Sequence, residues 1–192
     1  MKQELILEII KERWSPYSFS SLPIEDFKLK AMFEAAGHAP SCNNDQPWIF
    51  SFTTQKDKVF FSDYLGFLND SNKVWAKNAY ALVISMARMR FSHNDKPNRF
   101  AHYDTGMAVA GLLFQAVAFD IYVHQMGGFS AEKVKDYFKL NNNIEPVAMM
   151  AVGYLGDGEF ITPELLKRDE KRSTRKSVNE FTFRNSVDTP AF

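Results

Sequence analysis

The chain has 192 residues, 45% of them hydrophobic and 15% aromatic, enough for one domain with a substantial core. Its 23 basic and 23 acidic residues cancel, which removes any bulk electrostatic case for nucleic acid or an anionic membrane as a partner. Cys42 is the single cysteine, so no internal disulfide can form; the sequence shows neither a signal peptide nor an 18-residue apolar run, and a reducing cytoplasm is the expected compartment.

Met1 to Arg13 carries Leu5, Ile6, Ile9 and Ile10 at helical spacing, which predicts an amphipathic helix ended by the Ser15-Pro16 step. A second helix is expected to open at Leu22-Pro23, to bury Ile24, Phe27, Leu29, Met32, Phe33 and Ala36, and to stop at Gly37. Residues 38 to 47 read as a polar loop, and Trp48 to Thr53 as a strand. Short helices are expected over Gln55 to Tyr64 and Asn72 to Asn78, then a strand buried on both faces over Tyr80 to Met86. Residues 92 to 100 form a polar loop leading into the stretch on which the chain centres.

From Ala101 to Phe119 the sequence is apolar or small nearly all round a helix, yet too short to span a bilayer. Such a helix must be buried. Gly106, Ala108, Ala110, Gly111, Ala116 and Ala118 invite a close neighbour, which predicts packing on a sheet and on a second copy of the same helix in a dimer. Ile121 to Val123 is β-prone and runs into His124-Gln125-Met126-Gly127-Gly128-Phe129. Adjacent glycines there leave main chain open to a planar or anionic ligand. Ser130 is a candidate N-cap for a helix over Ala131 to Leu140, and Pro146 to Leu155 is another core strand. Beyond Thr162 the sequence is highly charged; Phe181 and Phe183 alternate like an edge strand. The pattern predicts an α+β fold, a mixed sheet covered by helices. The chain reads as a single domain, 1–192, with 162–192 as an extension.

Four segments read as ligand walls: Arg13-Trp-Ser-Pro-Tyr17, Pro40 to Trp48, His124 to Phe129, and Arg172-Ser-Thr-Arg-Lys176. In this order they resemble the FMN-dependent nitroreductase family, whose members carry R-W-S-P-R-x-F, then A-P-S-x-x-N-x-Q-P-W, then H-Q-M-x-G-F after a long helix, and a basic R-x-x-R-K-P segment. The match runs from Arg13 to about Phe183, and A-P-S-C-N-N-D-Q-P-W is its most specific part.

The resemblance implies a homodimer with FMN at the subunit interface and an extension, 162–192, that wraps the partner. It implies Arg13, Arg172 and Arg175 on the FMN phosphate beside Ser15, an answer suited to a dianion. Trp14 and Tyr17 complete that wall. Ser41, Cys42, Asn43 and Asn44 would reach the flavin of the partner subunit, Gln46 and Asn72 its polar ring edge, and Gln125, Met126, Gly127 and Gly128 would lie along the ring. The implied activity is ping-pong transfer of electrons from NAD(P)H to a nitroaromatic, quinone or similar acceptor, with no side chain as acid or base. The alternative is a flavin carrier or sensor with little turnover. The acceptor would be chosen by residues 60 to 77 and 92 to 100.

Departures from the family pattern are Tyr17 in place of a cation, Cys42 in place of serine, Gly111 in place of asparagine and Ser177 in place of proline. The four histidines lack zinc-ligand spacing, Cys42 has no well-placed base, and no G-x-G-x-x-G follows a strand, so neither metal, thiol nor Rossmann chemistry is expected.

Overall fold

The computed structural model describes residues 5–192. In chain order it comprises α1 (Glu8–Glu12), α2 (Asp26–Gly37), β1 (Trp48–Thr54), α3 (Lys58–Phe67), α4 (Asp70–Ala76), β2 (Ala81–Arg88), α5 (Ala101–Val117), β3 (Ile121–Met126), α6 (Ala131–Phe138), β4 (Ile144–Tyr154) and α7 (Pro163–Glu170). The four strands form one sheet in the order β1-β2-β4-β3, with every pairing antiparallel. Within a single chain the sheet is therefore not mixed: each pair of neighbours runs in opposite directions among the described residues. The α+β class holds.

Alternation along the two central strands divides the core. Ala81 and Val83 of β2 and Met150 and Val152 of β4 face α2 and α5, together with Ala108, Leu112 and Ala116. Leu82, Ile84 and Met86, with Met149 and Ala151, point the other way and pack on Phe61, Phe67, Trp75 and Val134. Period-two alternation on strands buried on both faces thus makes a three-layer molecule.

Helix α5 lies across the sheet, but Gly111 serves a different neighbour from the one expected. A Cβ there would stand 2.7 Å from the carbonyl oxygen of Ala35, so its bareness lets α2 approach within the same chain. The side left open is Tyr103, Met107, Ala110 and Phe114, spaced by three and four residues; Tyr103 is 71% exposed and Met107 37%.

Several boundaries differ from the sequence reading, each for a local reason. Helix α1 spans only Glu8–Glu12, and Leu5, Ile6 and Ile10 are exposed; the first four residues of the expected helix lie outside the described residues. Helix α2 begins at Asp26 after Glu25, not at Pro23, and Phe27 points to solvent because it falls opposite Leu29, Met32 and Ala36. Gln55 stays outside α3 and instead donates to the carbonyls of Lys77 and Ala79, at 2.8 and 3.1 Å. Ser130 does cap α6, accepting from the Lys133 amide at 3.2 Å, but that helix ends at Phe138 with Lys139 left-handed at φ 50°. Phe181 and Phe183 form no edge strand: a single 3-10 turn covers Val178–Glu180, and Phe183 makes only an isolated bridge to Pro190. Among the described residues no sheet edge of the same chain receives them. The earlier part of the extension docks on its own chain, since α7 starts at the Thr162 cap and Leu165 joins the second core.

Candidate active site

The segment after α1 crosses the end of β3 and is fastened to it by His124, whose Nδ1 lies 2.8 Å from the carbonyl oxygen of Pro16. A carbonyl can only accept, so Nδ1 carries the proton and Nε2 is left as the acceptor of the neutral ring. Burial lowers the His124 pKa, and the Pro16 bond and the nearby Asp169 charge oppose that shift only in part. His124 sits against Trp75 at 4.4 Å and Tyr17 at 4.7 Å between ring centroids, which makes a stiff aromatic wall.

Beside that wall opens a cavity of about 810 Å³ that joins the two ends of the chain. Arg13, Trp14, Ser15 and Tyr17 line one side, and Arg168, Arg172 and Arg175 line the other. Arg13 Nη1 donates to Ser15 Oγ at 3.4 Å, while the Arg172 guanidinium lies over the Trp14 ring at 4.7 Å. Burial and the neighbouring Arg175 both push the Arg13 pKa down, the signature of cations crowded together. The Trp14 indole nitrogen is buried with no hydrogen-bond partner. Crowded guanidiniums, a hydroxyl and an orphaned donor fit an anionic ligand with polar oxygens.

The sequence reading did not single out Lys11, Lys167, Arg168 or Lys171, yet all four line the cavity, and His124, read there as part of a separate ligand wall, lines it with them. The signal present was composition: four of the six residues from Lys167 to Arg172 are basic. Arg168 lines the same cavity as Tyr17 and donates from Nη2 to Glu164 at 2.8 Å; the Tyr17 hydroxyl and the Glu164 carboxylate raise its pKa. A cation therefore shares this wall with Tyr17, although residue 17 is not itself a basic residue.

At the end of β3, Gln125 is exposed and Met126 turns its side chain into the core, so only main chain of Met126 is available to a ligand. Gly127 is open on its Cβ side, whereas a Cβ on Gly128 would fall 2.3 Å from the Asn69 amide nitrogen. Asn72 does not reach outward: its side-chain nitrogen donates to the Gly128 carbonyl at 3.1 Å and holds the loop.

Residues 41 to 46 are elsewhere. They precede β1, the edge strand opposite β3, three strand spacings or about 14 Å across the sheet. Cys42 donates its amide to Asp104 of α5 at 3.0 Å, Gln46 its amide to Ser41 Oγ at 3.0 Å, and Asp45 accepts twice from Ser92, at 2.8 and 2.7 Å. Asn43, Asn44 and Gln46 have φ of 55°, 55° and 50°, so the loop is strained into one shape with Asn43 and Asn44 exposed. Among the described residues, none of 41 to 46 lines the cavity of its own chain.

The model of the nitroreductase family aligns with residues 10–154, three quarters of the chain. The chain belongs to the nitroreductase family. Members of this family are FMN-dependent, and FMN-containing proteins are among the structural neighbours of this nitroreductase. It is similar over 98% of its length, and over 96% of the other chain, to a crystal structure of an FMN-containing oxidoreductase, with a TM-score of 0.90 and 26% identity. A nitroreductase-type protein from Desulfovibrio desulfuricans, solved in complex with FMN, superposes with a TM-score of 0.75 at 18% identity, covering 96% of this chain and 98% of the other. A sequence relative is a 15.4 kDa protein of uncharacterised function from Mycolicibacterium smegmatis, 28% identical over 130 residues, which are 68% of this chain and 86% of that one.

Proposed function

We propose that this nitroreductase binds FMN in the cavity between its two chain ends and works as an NAD(P)H-dependent oxidoreductase on small oxidised acceptors, nitroaromatics or quinones. The observation that carries this reading is the convergence of Arg13, Arg172 and Arg175 with Ser15 in one cavity, beside an aromatic wall and a glycine loop. Those three arginines and Ser15 would hold the phosphate, Trp14 would offer its unpaired indole N–H, and the main chain of 125–128 would lie along the ring. When bound, FMN supplies the redox chemistry, two electrons in from NAD(P)H and two out to the acceptor in alternating half-reactions. Asn72 and Asn69 keep the Gly127-Gly128 loop in place, and His124, neutral at pH 7, stiffens the wall without offering a charge.

The loop of residues 41 to 46 and the open stripe of α5 support a homodimer in which Ser41 to Gln46 reach the partner's cofactor and residues 176–192 lie on the partner. Tyr103, Met107 and the exposed Phe181 and Phe183 are apolar surface that such an interface would cover. A second reading, a flavin carrier or sensor, is favoured by Tyr17, which brings no charge of its own. Among the described residues no helix is long and apolar enough to cross a membrane, and a reducing cytoplasm suits the free thiol of Cys42. The test is the visible spectrum of purified protein, followed anaerobically on addition of NADH or NADPH. Yellow protein bleached by either donor and restored by a quinone supports the enzyme; yellow protein that no donor bleaches supports the carrier, and protein that stays colourless with added FMN removes both.

A further inference from the structure

The two halves of the anion site lie more than 150 residues apart in sequence, and one side chain fastens them together. Both oxygens of Asp169, on α7, accept from the amide of Tyr17, at 2.9 and 3.1 Å, and Oδ2 also accepts from the amide of Ser18 at 2.9 Å. Asp169 does not line the cavity. Four residues upstream of Tyr17 is Arg13; three and six residues downstream of Asp169 are Arg172 and Arg175. The other ties are the Arg172 guanidinium over the Trp14 ring at 4.7 Å, and Ser18, whose Oγ accepts from the Gly158 amide at 2.8 Å and whose carbonyl accepts from the Gly156 amide at 3.1 Å; Leu165 touches the second core, but α7 has no buried residue.

This arrangement opposes a strong repulsion. Lys11, Arg13, Lys167, Arg168, Lys171, Arg172 and Arg175 all line the cavity, and Glu164, held by Arg168, is the acid among them. Without a fastening, cations on α7 and after it would swing away from Arg13, and the site would be assembled only by its ligand, at a cost in affinity. The carboxylate suits this task because it offers two acceptor oxygens to two neighbouring N–H groups. An asparagine would keep one oxygen and turn an N–H against a backbone donor.

We propose that Asp169 is a positioning residue for the cofactor phosphate: by gripping the amides of Tyr17 and Ser18 it sets the distance between Arg13 and the Arg172–Arg175 pair. It acts without touching the ligand. The proposal rests on the FMN reading for its ligand but not for its geometry. It has a sign that simple electrostatics does not share. Removing a negative charge near a cationic cavity should tighten an anion, whereas releasing the strut should loosen it.

The experiment compares Asp169→Asn with the unsubstituted protein and with Glu170→Gln, which removes an equal charge from an exposed neighbour. FMN and riboflavin, which lacks the phosphate, are each titrated, and amide hydrogen exchange is read over the whole chain without flavin. Asp169→Asn is expected to weaken FMN about tenfold or more, the loss of a charge-assisted contact, while riboflavin changes less than about twofold. Glu170→Gln should leave FMN unchanged or tighter. Exchange should rise over residues 13–18 and 163–175 and stay fixed in the four strands. FMN binding that is unchanged or tighter in Asp169→Asn overturns the proposal, as does an equal loss for both flavins or exchange that does not change in either segment. Should the unsubstituted protein bind neither flavin, the cofactor reading fails, and exchange alone then decides whether Asp169 holds the two segments together.

Discussion

Arg13 shows how a single residue reports on its ligand before any ligand is present. Half-buried, beside Arg175 and donating to Ser15, its guanidinium is held below its ordinary pKa by burial first and by like charge second. An anion would relieve both. Arg13→Ala is therefore expected to weaken FMN by about 1.5–3 kcal/mol, the range for a hydrogen bond to a charged group, with riboflavin little affected; calorimetric titration of the two flavins measures it. His124 yields a pH dependence. Its pKa in the folded chain lies below the unfolded value of about 6.5, so on acidification the unfolded state takes the proton first. Stability is expected to fall as pH drops from about 6.5 toward the folded pKa, and His124→Phe should flatten that limb in urea unfolding series. Absence of any slope difference between the two proteins would mean that the ring is not buried as described.

At the scale of elements, two packings bear the site. Helix α5 rests on α2 through Gly111, where an added methyl would meet the Ala35 carbonyl, a main-chain atom that cannot rotate away. Gly111→Ala is expected to cost about 1–3 kcal/mol as an overpacked contact despite the better helix propensity of alanine; denaturant midpoints at unchanged slope would show it. The loop before β1 depends on Asp45. Burial alone would raise its pKa, but the hydroxyl and amide of Ser92, with help from His93 and Arg88, outweigh that and hold the carboxyl below its usual range. Its contribution is present at neutral pH and is lost as pH falls through the depressed folded value, below about 4. Protection of the Ser92 and Gln46 amides, taken relative to their intrinsic exchange rates at each pH, should then fall in acid, and Asp45→Asn should show the same loss of protection at pH 7. Unaltered exchange in the variant would mean that Ser41 and Asp104 suffice to hold the loop.

For the whole molecule, the open question of a single chain is what covers α5 and receives the last residues. Tyr103, Met107, Ala110 and Phe114 make one apolar stripe, and Leu5, Ile6, Ile10, Phe181 and Phe183 add further exposed apolar surface. The extension divides by position at about residue 176: residues of α7 and the arginines after it line the cavity of their own chain, while residues 177–192 do not line it and are mostly exposed. Met107→Glu is expected to convert a dimer to monomer in light scattering and to release FMN, and deletion of residues 178–192 to weaken the dimer and the cofactor together. A truncated protein that remained dimeric with full FMN affinity would make the last residues a passive extension.

Much of this protein is determined by its sequence alone. The nearly continuous apolar runs over residues 80 to 86 and 146 to 155 ask for strands covered by other elements, the apolar run from Ala101 asks for a buried helix, and the motif segments between Arg13 and Phe129 assign the family, because each signal is local and needs no partner to be read. Arg13, Arg172 and Arg175 are singled out in the sequence only through the resemblance to the family. Only the tertiary structure decided what those residues meet. Gly111 is small for α2 rather than for a second subunit, Asn72 holds Gly128 rather than reaching outward, and Arg168 stands beside Tyr17 where residue 17 lacks a charge. Asp169 was invisible for the strongest reason: its partners are main-chain amides more than 150 residues away, and a backbone N–H leaves no trace in the amino-acid alphabet.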